Sequence, residues 1–215
     1  VIERHTKEYS PFEVYAKALQ EFFRAHEMTA GEWERSKSRM YSVLDQYQRE
    51  GYQSLMKIAG QHGGAFLCDG VGLGKTFIGM MVIERLVLHE RKRVVLLVPK
   101  AARKPVWESA FRRYLPHIGG GDFSNLAIYN HTDLLRGGDF PVRLERIKEM
   151  ADAIVIDEAH HFRNPGVAGE KSGRITRYRR MYDIADGKSI FLLTATPVNN
   201  RLLDLQHMIE LFSRR

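Results

Sequence analysis

Residues 69–76 read Asp69-Gly70-Val71-Gly72-Leu73-Gly74-Lys75-Thr76, and about eighty positions later stands Asp157-Glu158-Ala159-His160. Glycines at this density let backbone N–H groups turn toward a phosphate. A helix opening directly after them adds the positive end of its dipole. In that setting Lys75 reaches the β- and γ-phosphates of a nucleotide, and the Thr76 hydroxyl ligates Mg²⁺. The strict phosphate-loop pattern asks for glycine five residues before Gly74, where Asp69 stands, while Gly72, Gly74, Lys75 and Thr76 fit it. The plain alternative is a glycine-rich strand-to-helix turn with a chance Lys-Thr.

The acidic pair complements the loop. Asp157 can hold Mg²⁺, through water because magnesium surrenders its hydration shell reluctantly. Glu158 is then placed to orient and deprotonate the water that attacks a γ-phosphate. An acidic pair alone at a strand end is often merely solvated, so the loop upstream carries weight here. His160-His161 lacks further ligands at zinc spacing, which favours a histidine that hydrogen-bonds to another motif. Thr194-Ala195-Thr196-Pro197 ends an apolar run with two hydroxyls. These link the nucleotide site to a neighbouring element, or simply terminate a strand.

Short apolar runs at 65–68, 94–98, 126–129, 153–156 and 190–193 lack polar alternation, as strands buried on both faces do. Helical patterns lie between them, at 77–89 and 105–114 for instance. Strand, helix, strand in repetition predicts an α/β fold with a parallel sheet sandwiched by helices. In open parallel sheets ligands bind at the carboxyl ends of the strands, so the loop and the acidic pair should emerge side by side. Glycine-rich stretches at 119–121 and 137–138 read as surface loops. Ahead of the sheet, Ser10-Pro11-Phe12-Glu13 is a capping-box pattern. Val14, Tyr15, Ala18, Leu19, Phe22 and Phe23 follow it at helical spacing. A second helical segment is expected over 31–58, weakly broken at Gly51. Residues 1–42 thus read as a helical N-terminal extension and 43–215 as the main domain.

The 215 residues, with 44% hydrophobic and 27% charged residues, exclude a mainly disordered or fibrous chain. Cys68 is the single cysteine, which excludes an internal disulfide and a cysteine-cluster metal site. No stretch approaches the ~20 apolar residues of a membrane span, and no apolar secretory core opens the chain. An intracellular protein is expected, cytoplasmic if prokaryotic, and the start at Val1 suggests a piece of something longer. Lys and Arg outnumber Asp and Glu by 33 to 26, a net charge of +7 that permits a polyanionic partner. The excess concentrates in Arg91, Lys92, Arg93, Lys100, Arg103 and Lys104, and in Lys171, Arg174, Arg177, Arg179 and Arg180. Each group is either a solvated face or a phosphate-backbone contact.

The order of phosphate loop, Asp-Glu-Ala-His and Thr-Ala-Thr-Pro resembles the first RecA-like lobe of superfamily-two helicases, and within them the Swi/Snf-type DNA translocase ATPases. Tyr47-Gln48-Arg49-Glu50-Gly51-Tyr52 lies at the distance of that family's glutamine motif. The loop with an acid at its start is close to the family's own version. Thr194-Ala195-Thr196-Pro197-Val198-Asn199-Asn200-Arg201-Leu202 extends the coupling motif with the asparagines of this branch. Cys68 stands where alanine is common, and Asp45 replaces a frequent arginine.

The resemblance covers residues 43–212. It implies a RecA-like P-loop lobe that binds ATP through Gln48, which would read adenine, and through Asp69, Gly70, Val71, Gly72, Leu73, Gly74, Lys75 and Thr76. Thr76 and Asp157 would hold Mg²⁺, with Glu158 and Lys75 catalytic. His160, Thr194 and Thr196 would couple hydrolysis to lobe movement. Residues 94–99, followed by Lys100, Arg103, Lys104 and Trp107, match the segment that contacts a DNA backbone in relatives. The implied function is an ATP hydrolase that moves on double-stranded DNA, with a second RecA-like lobe supplying arginine fingers that this chain lacks, and weak activity for one lobe alone. A strand-separating helicase, a restriction or phage-defence motor and a nucleotide-gated binding module remain alternatives.

Overall fold

Each of the five apolar runs is a strand in the computed structural model: β1 Gly64–Cys68, β2 Val94–Val98, β3 Leu126–Asn130, β4 Ala153–Asp157 and β5 Ser189–Thr194. All neighbours pair in parallel, in the order β1-β5-β4-β2-β3. The described residues are 10, 29–70, 72, 74–119, 125–165, 176–196 and 202–213. The expected helix after Ser10, loop positions Val71 and Leu73, Lys171, Arg174 and residues 197–201 lie outside them. The chain divides into two compact units, Val1–Lys37 and Ser38–Arg215. In the first, helix Ala30–Ser36 opens on a capping box in which Thr29 and Glu32 exchange bonds.

The sheet belongs to the second unit. Alternate side chains of β2, β4 and β5 (Val95, Leu97, Ile154, Ile156, Ile190 and Leu192) join Leu144, Phe162, Met181, Met208 and Leu211 in one apolar cluster. Leu193, of opposite parity in β5, lies near Gly79 of helix Lys75–Glu84 together with Trp107. Helices therefore flank the sheet, as its unalternating strands required. Central β4 is buried throughout, whereas β3 is only half-buried at every position because it is an edge strand. The 126–129 run therefore differs from the two-face burial its sequence suggests.

The 31–58 segment is not one helix weakened at Gly51. It breaks earlier, into Ala30–Ser36, Met40–Val43 and Gln46–His62, and the last runs through Gly51 without interruption. Hydrogen bonding to Glu84 holds the start of the second of these helices. Its fully buried carboxylate accepts from the Ser38 hydroxyl at 2.5 Å and from the N–H groups of Arg39 and Met40 at 2.8 and 3.1 Å. These bonds satisfy backbone donors at the start of helix Met40–Val43 that no helix partner can reach. The helix pattern at 77–89 begins at Lys75 and finishes as a π-helical turn, Arg85–His89. The 105–114 pattern starts earlier, at Lys100, and passes through a π-helical stretch, Arg103–Glu108, before helix Ser109–Tyr114. Among the described residues no helix is long and apolar enough to cross a membrane.

Candidate active site

Strand register brings the chemistry-bearing segments together. Cys68 pairs with Thr194, and Leu193 pairs with Asp157, so β1, β5 and β4 end side by side at one edge of the sheet. The glycine-rich loop leaves β1, the Thr-Ala-Thr segment leaves β5, and Glu158 follows β4. A parallel sheet places every strand's carboxyl end on the same side, which is why segments far apart in sequence share one rim.

In the loop, Gly72 and Gly74 have φ of 85° and 80°, values that side-chain-bearing residues rarely adopt. Gly74 sits at the N-terminal boundary of helix Lys75–Glu84, whose first N–H groups have no partners within the helix. A Cβ at Gly74 would also collide with the amide nitrogen of Gln48. The glutamine thus lies directly against the loop although it stands 26 residues earlier in sequence. Its Oε1 accepts from the Asp45 N–H at 3.1 Å, capping helix Gln46–His62. Lys75 Nζ donates to the carbonyls of Asp69 and Gly70 at 2.9 and 2.8 Å. Asp69's carboxylate accepts the Tyr47 hydroxyl at 2.5 Å, so the acid at the head of the loop braces it against the glutamine helix.

Asp157 is 9% exposed and holds two hydrogen bonds. Its Oδ1 accepts the Glu158 N–H at 3.0 Å, and its Oδ2 accepts the Trp107 indole N–H at 2.7 Å. Burial pushes the Asp157 carboxyl up from the usual carboxylate range, the Trp107 bond working against it. Hydrogen bonds to a charged group contribute about 1.5–3 kcal/mol each. Glu158 has φ 48° and ψ 50°, a left-handed conformation that costs a non-glycine residue about 1–2 kcal/mol. That turn carries the chain from β4 into the short 3₁₀ helix Ala159–Phe162 and leaves Glu158 partly exposed. His160 Nδ1 lies 3.1 Å from Glu158 Oε2 and 3.4 Å from Thr194 Oγ1. Thr194 Oγ1 accepts the Thr196 N–H at 3.2 Å. Glu158, His160, Thr194 and Thr196 thus form one connected polar chain.

Trp107 lies elsewhere than its place in the basic segment suggested. Its side chain is fully buried, wedged over Gly79 where an added Cβ would come within 2.8 Å of the indole. Around it Lys100 and Lys104 are exposed, while Arg103 is half-buried and paired with Glu108 at 2.8 Å. In the second basic group, Arg177, Arg179 and Arg180 begin helix Arg177–Ile184, and Tyr178 packs in the core with its hydroxyl on Glu210. Sequence inspection also passed over His131. It is buried beside His161 and Phe162, and its Nε2 is without a partner. Burial, with His161 adjacent, pushes it down to about 4.

A cleft of about 560 Å³ is lined by Gly72, Gly74, Lys75, Thr76, Asp157 and Glu158 on one side, and by Pro105, Val106, Arg113 and Tyr114 on the other. The residues present fit a magnesium nucleotide. Thr76 and Asp157 offer hard oxygen donors, the loop offers a glycine cradle and a helix N-terminus, and Lys75 supplies a compact positive charge.

No protein-family model matches the chain. It is 26% identical over 178 residues to the uncharacterized ATP-dependent helicase MG018 of Mycoplasma genitalium, covering 75% of this chain and 16% of that one. It is 27% identical over 180 residues to SWI/SNF-related matrix-associated actin-dependent regulator of chromatin subfamily A-like protein 1 of Bos taurus, covering 80% and 18%. With the probable ATP-dependent DNA helicase CHR23 of Arabidopsis thaliana it shares 27% over 191 residues, covering 78% and 16%. The chain therefore spans less than a fifth of the length of these relatives. In structure it resembles the Sulfolobus solfataricus SWI2/SNF2 ATPase core in complex with dsDNA, with a TM-score of 0.61 and 23% identity, covering 79% of this chain and 35% of that one. The Sulfolobus solfataricus SWI2/SNF2 ATPase core domain matches at a TM-score of 0.56 with 23% identity, covering 77% and 34%. In sequence this chain is thus similar to SWI/SNF-related ATP-dependent helicases, and its α/β fold with an all-parallel five-stranded sheet resembles that of the SWI2/SNF2 ATPase core.

Proposed function

We propose that the chain is the ATP-binding lobe of an ATP-dependent DNA translocase or helicase, hydrolysing MgATP and reaching full activity with a second lobe. The observation that carries this is the single cleft shared by the glycine loop, Lys75, Thr76, Asp157 and Glu158. Helicase names among the relatives and the DNA-bound structural neighbour support the same reading.

On this reading the loop N–H groups and Lys75 hold the phosphates. Lys75 exchanges its bonds to the Asp69 and Gly70 carbonyls for phosphate oxygens, so its charge is already positioned before nucleotide arrives. Thr76 and Asp157 would hold a magnesium ion, which when bound would neutralise phosphate charge. Glu158 orients the attacking water and takes its proton. His160 fixes the Glu158 carboxylate and relays its state to Thr194 and Thr196. Gln48, which lies against Gly74, would read the base. Lys100, Arg103 and Lys104 supply contacts to a duplex backbone, which give affinity without sequence information.

Radiolabelled ATP tests the reading on this chain. The unsubstituted chain should bind MgATP and release phosphate slowly. Glu158→Gln should bind within about twofold and lose roughly a hundredfold or more in release, as expected for removal of a general base. MgATP binding that is indifferent to both Lys75→Ala and Asp157→Ala would overturn the proposal. Undiminished phosphate release by Glu158→Gln would overturn the role of Glu158.

A further inference from the structure

We propose that Trp107 is a positioning residue that ties the exposed basic stretch 100–104 to the carboxylate of Asp157, so that the magnesium affinity of the nucleotide site answers to duplex DNA on that stretch. This inference rests on the function proposed above and adds the link between its two halves.

Trp107 has one donor, and that donor is committed to Asp157 Oδ2 at 2.7 Å. Asp157 Oδ1 takes the Glu158 N–H, so two donors from different elements hold the carboxylate, and lone pairs remain on both oxygens for a metal. The indole has little slack. The backbone of helix Lys75–Glu84 approaches it at Gly79, where a Cβ would stand 2.8 Å from both Trp107 and Leu193. In a close-packed interior a shift of the ring is passed to what it touches. Here that is the helix carrying Lys75 and Thr76 on one side and Asp157 on the other.

The stretch on which Trp107 sits is unusual. Arg103–Glu108 is π-helical, an uncommon winding frequent at functional sites, and it includes Pro105, which has no N–H to donate. Lys100 and Lys104 face solvent while Trp107 is fully buried, so one short segment presents cations outward and an indole N–H inward. Neutralising the lysines on a phosphate backbone moves the segment, and the indole is its direct connection to the metal-binding carboxylate. A partner that merely packs beside Asp157 would not transmit this, because the hydrogen bond is what fixes carboxylate rotation.

The test uses Trp33→Phe, which leaves Trp107 as the only indole of the two in the chain. Mg²⁺ added to the chain with ATP should shift Trp107 emission, a readout that needs no change at Trp107; an unmoved spectrum overturns the inference. Binding of a fluorescent ATP analogue is then titrated with Mg²⁺ or with EDTA, with and without a short duplex. Trp107→Phe keeps a ring and removes the N–H. It should weaken Mg²⁺-dependent binding about tenfold, leave binding in EDTA within about twofold, and abolish the duplex effect on Mg²⁺ dependence. Unchanged Mg²⁺ dependence in Trp107→Phe overturns the positioning role, and a duplex effect that survives in it overturns the link. Failure of the unsubstituted chain to bind the magnesium nucleotide at all overturns the proposed function itself, and this inference with it.

Discussion

Thr194 Oγ1 stands 3.4 Å from His160 Nδ1, and the same nitrogen lies 3.1 Å from Glu158 Oε2. A single imidazole therefore joins the end of β5 to the acid beyond β4. Thr194→Val removes the hydroxyl that also receives the Thr196 N–H at 3.2 Å. MgATP affinity should stay within about twofold, while phosphate release falls by about tenfold to a hundredfold, the scale on which misplaced catalytic groups lose rate. Equilibrium binding and single-turnover hydrolysis on the same preparation separate the two effects.

Lys75→Ala removes the ammonium that bonds the Asp69 and Gly70 carbonyls at 2.9 and 2.8 Å. Hydrogen bonds to a charged group contribute about 1.5–3 kcal/mol, so nucleotide affinity should fall by about tenfold to a hundredfold. Titration with a fluorescent ATP analogue measures this directly.

Gly74→Ala meets two obstacles, a φ of 80° and the Gln48 amide in the space its Cβ needs. The conformation alone costs about 1–2 kcal/mol. Thermal unfolding should show a lowered midpoint. Because the loop and the glutamine are displaced together, nucleotide binding should weaken as well. Gly137→Ala, with open space around it, is the control and should change neither.

Glu84→Ala leaves the Ser38 hydroxyl and the Arg39 and Met40 N–H groups without their acceptor, the Met40 N–H in a buried position. An unsatisfied buried donor costs about 1–3 kcal/mol, so the unfolding midpoint should drop by about 10 °C for a domain of this size. Glu84→Gln retains one acceptor and should lose less. Calorimetry on the three proteins ranks them.

Acidification should destabilise the fold through His131, pushed down to about 4 where the unfolded chain titrates near its ordinary value of 6.5. Between those values the unfolded state binds the proton and the folded state does not, so stability falls as pH drops. The contribution is fully present above about pH 6.5 and is lost progressively toward pH 4. His131→Asn should flatten the dependence of the unfolding midpoint on pH across that window.

Short-range signals carried much of the architecture. Apolar runs without alternation mark strands because each strand packs on both faces within a few residues, and all five runs became strands. The glycine loop was legible for the same reason, since the left-handed backbone at Gly72 and Gly74 is a local demand that residue type must meet. The half-burial of β3 was not legible, because edge position depends on strand order rather than on the strand's own residues. Gly51 attracted a helix break that the fold does not make; the first of the actual breaks precedes Arg39 and Met40, whose N–H groups are taken by Glu84, 45 and 44 positions away. Trp107 read as part of a basic surface segment, yet it is a buried partner of Asp157, 50 positions later. That contact exists because β2 and β4 are neighbours in a sheet whose order is not the order of the chain. Residue types and spacings therefore determined which groups could do chemistry. Parallel pairing and the packing of helices on the sheet decided which of them meet, because hydrogen-bond register aligns the strand ends however far apart they lie in sequence.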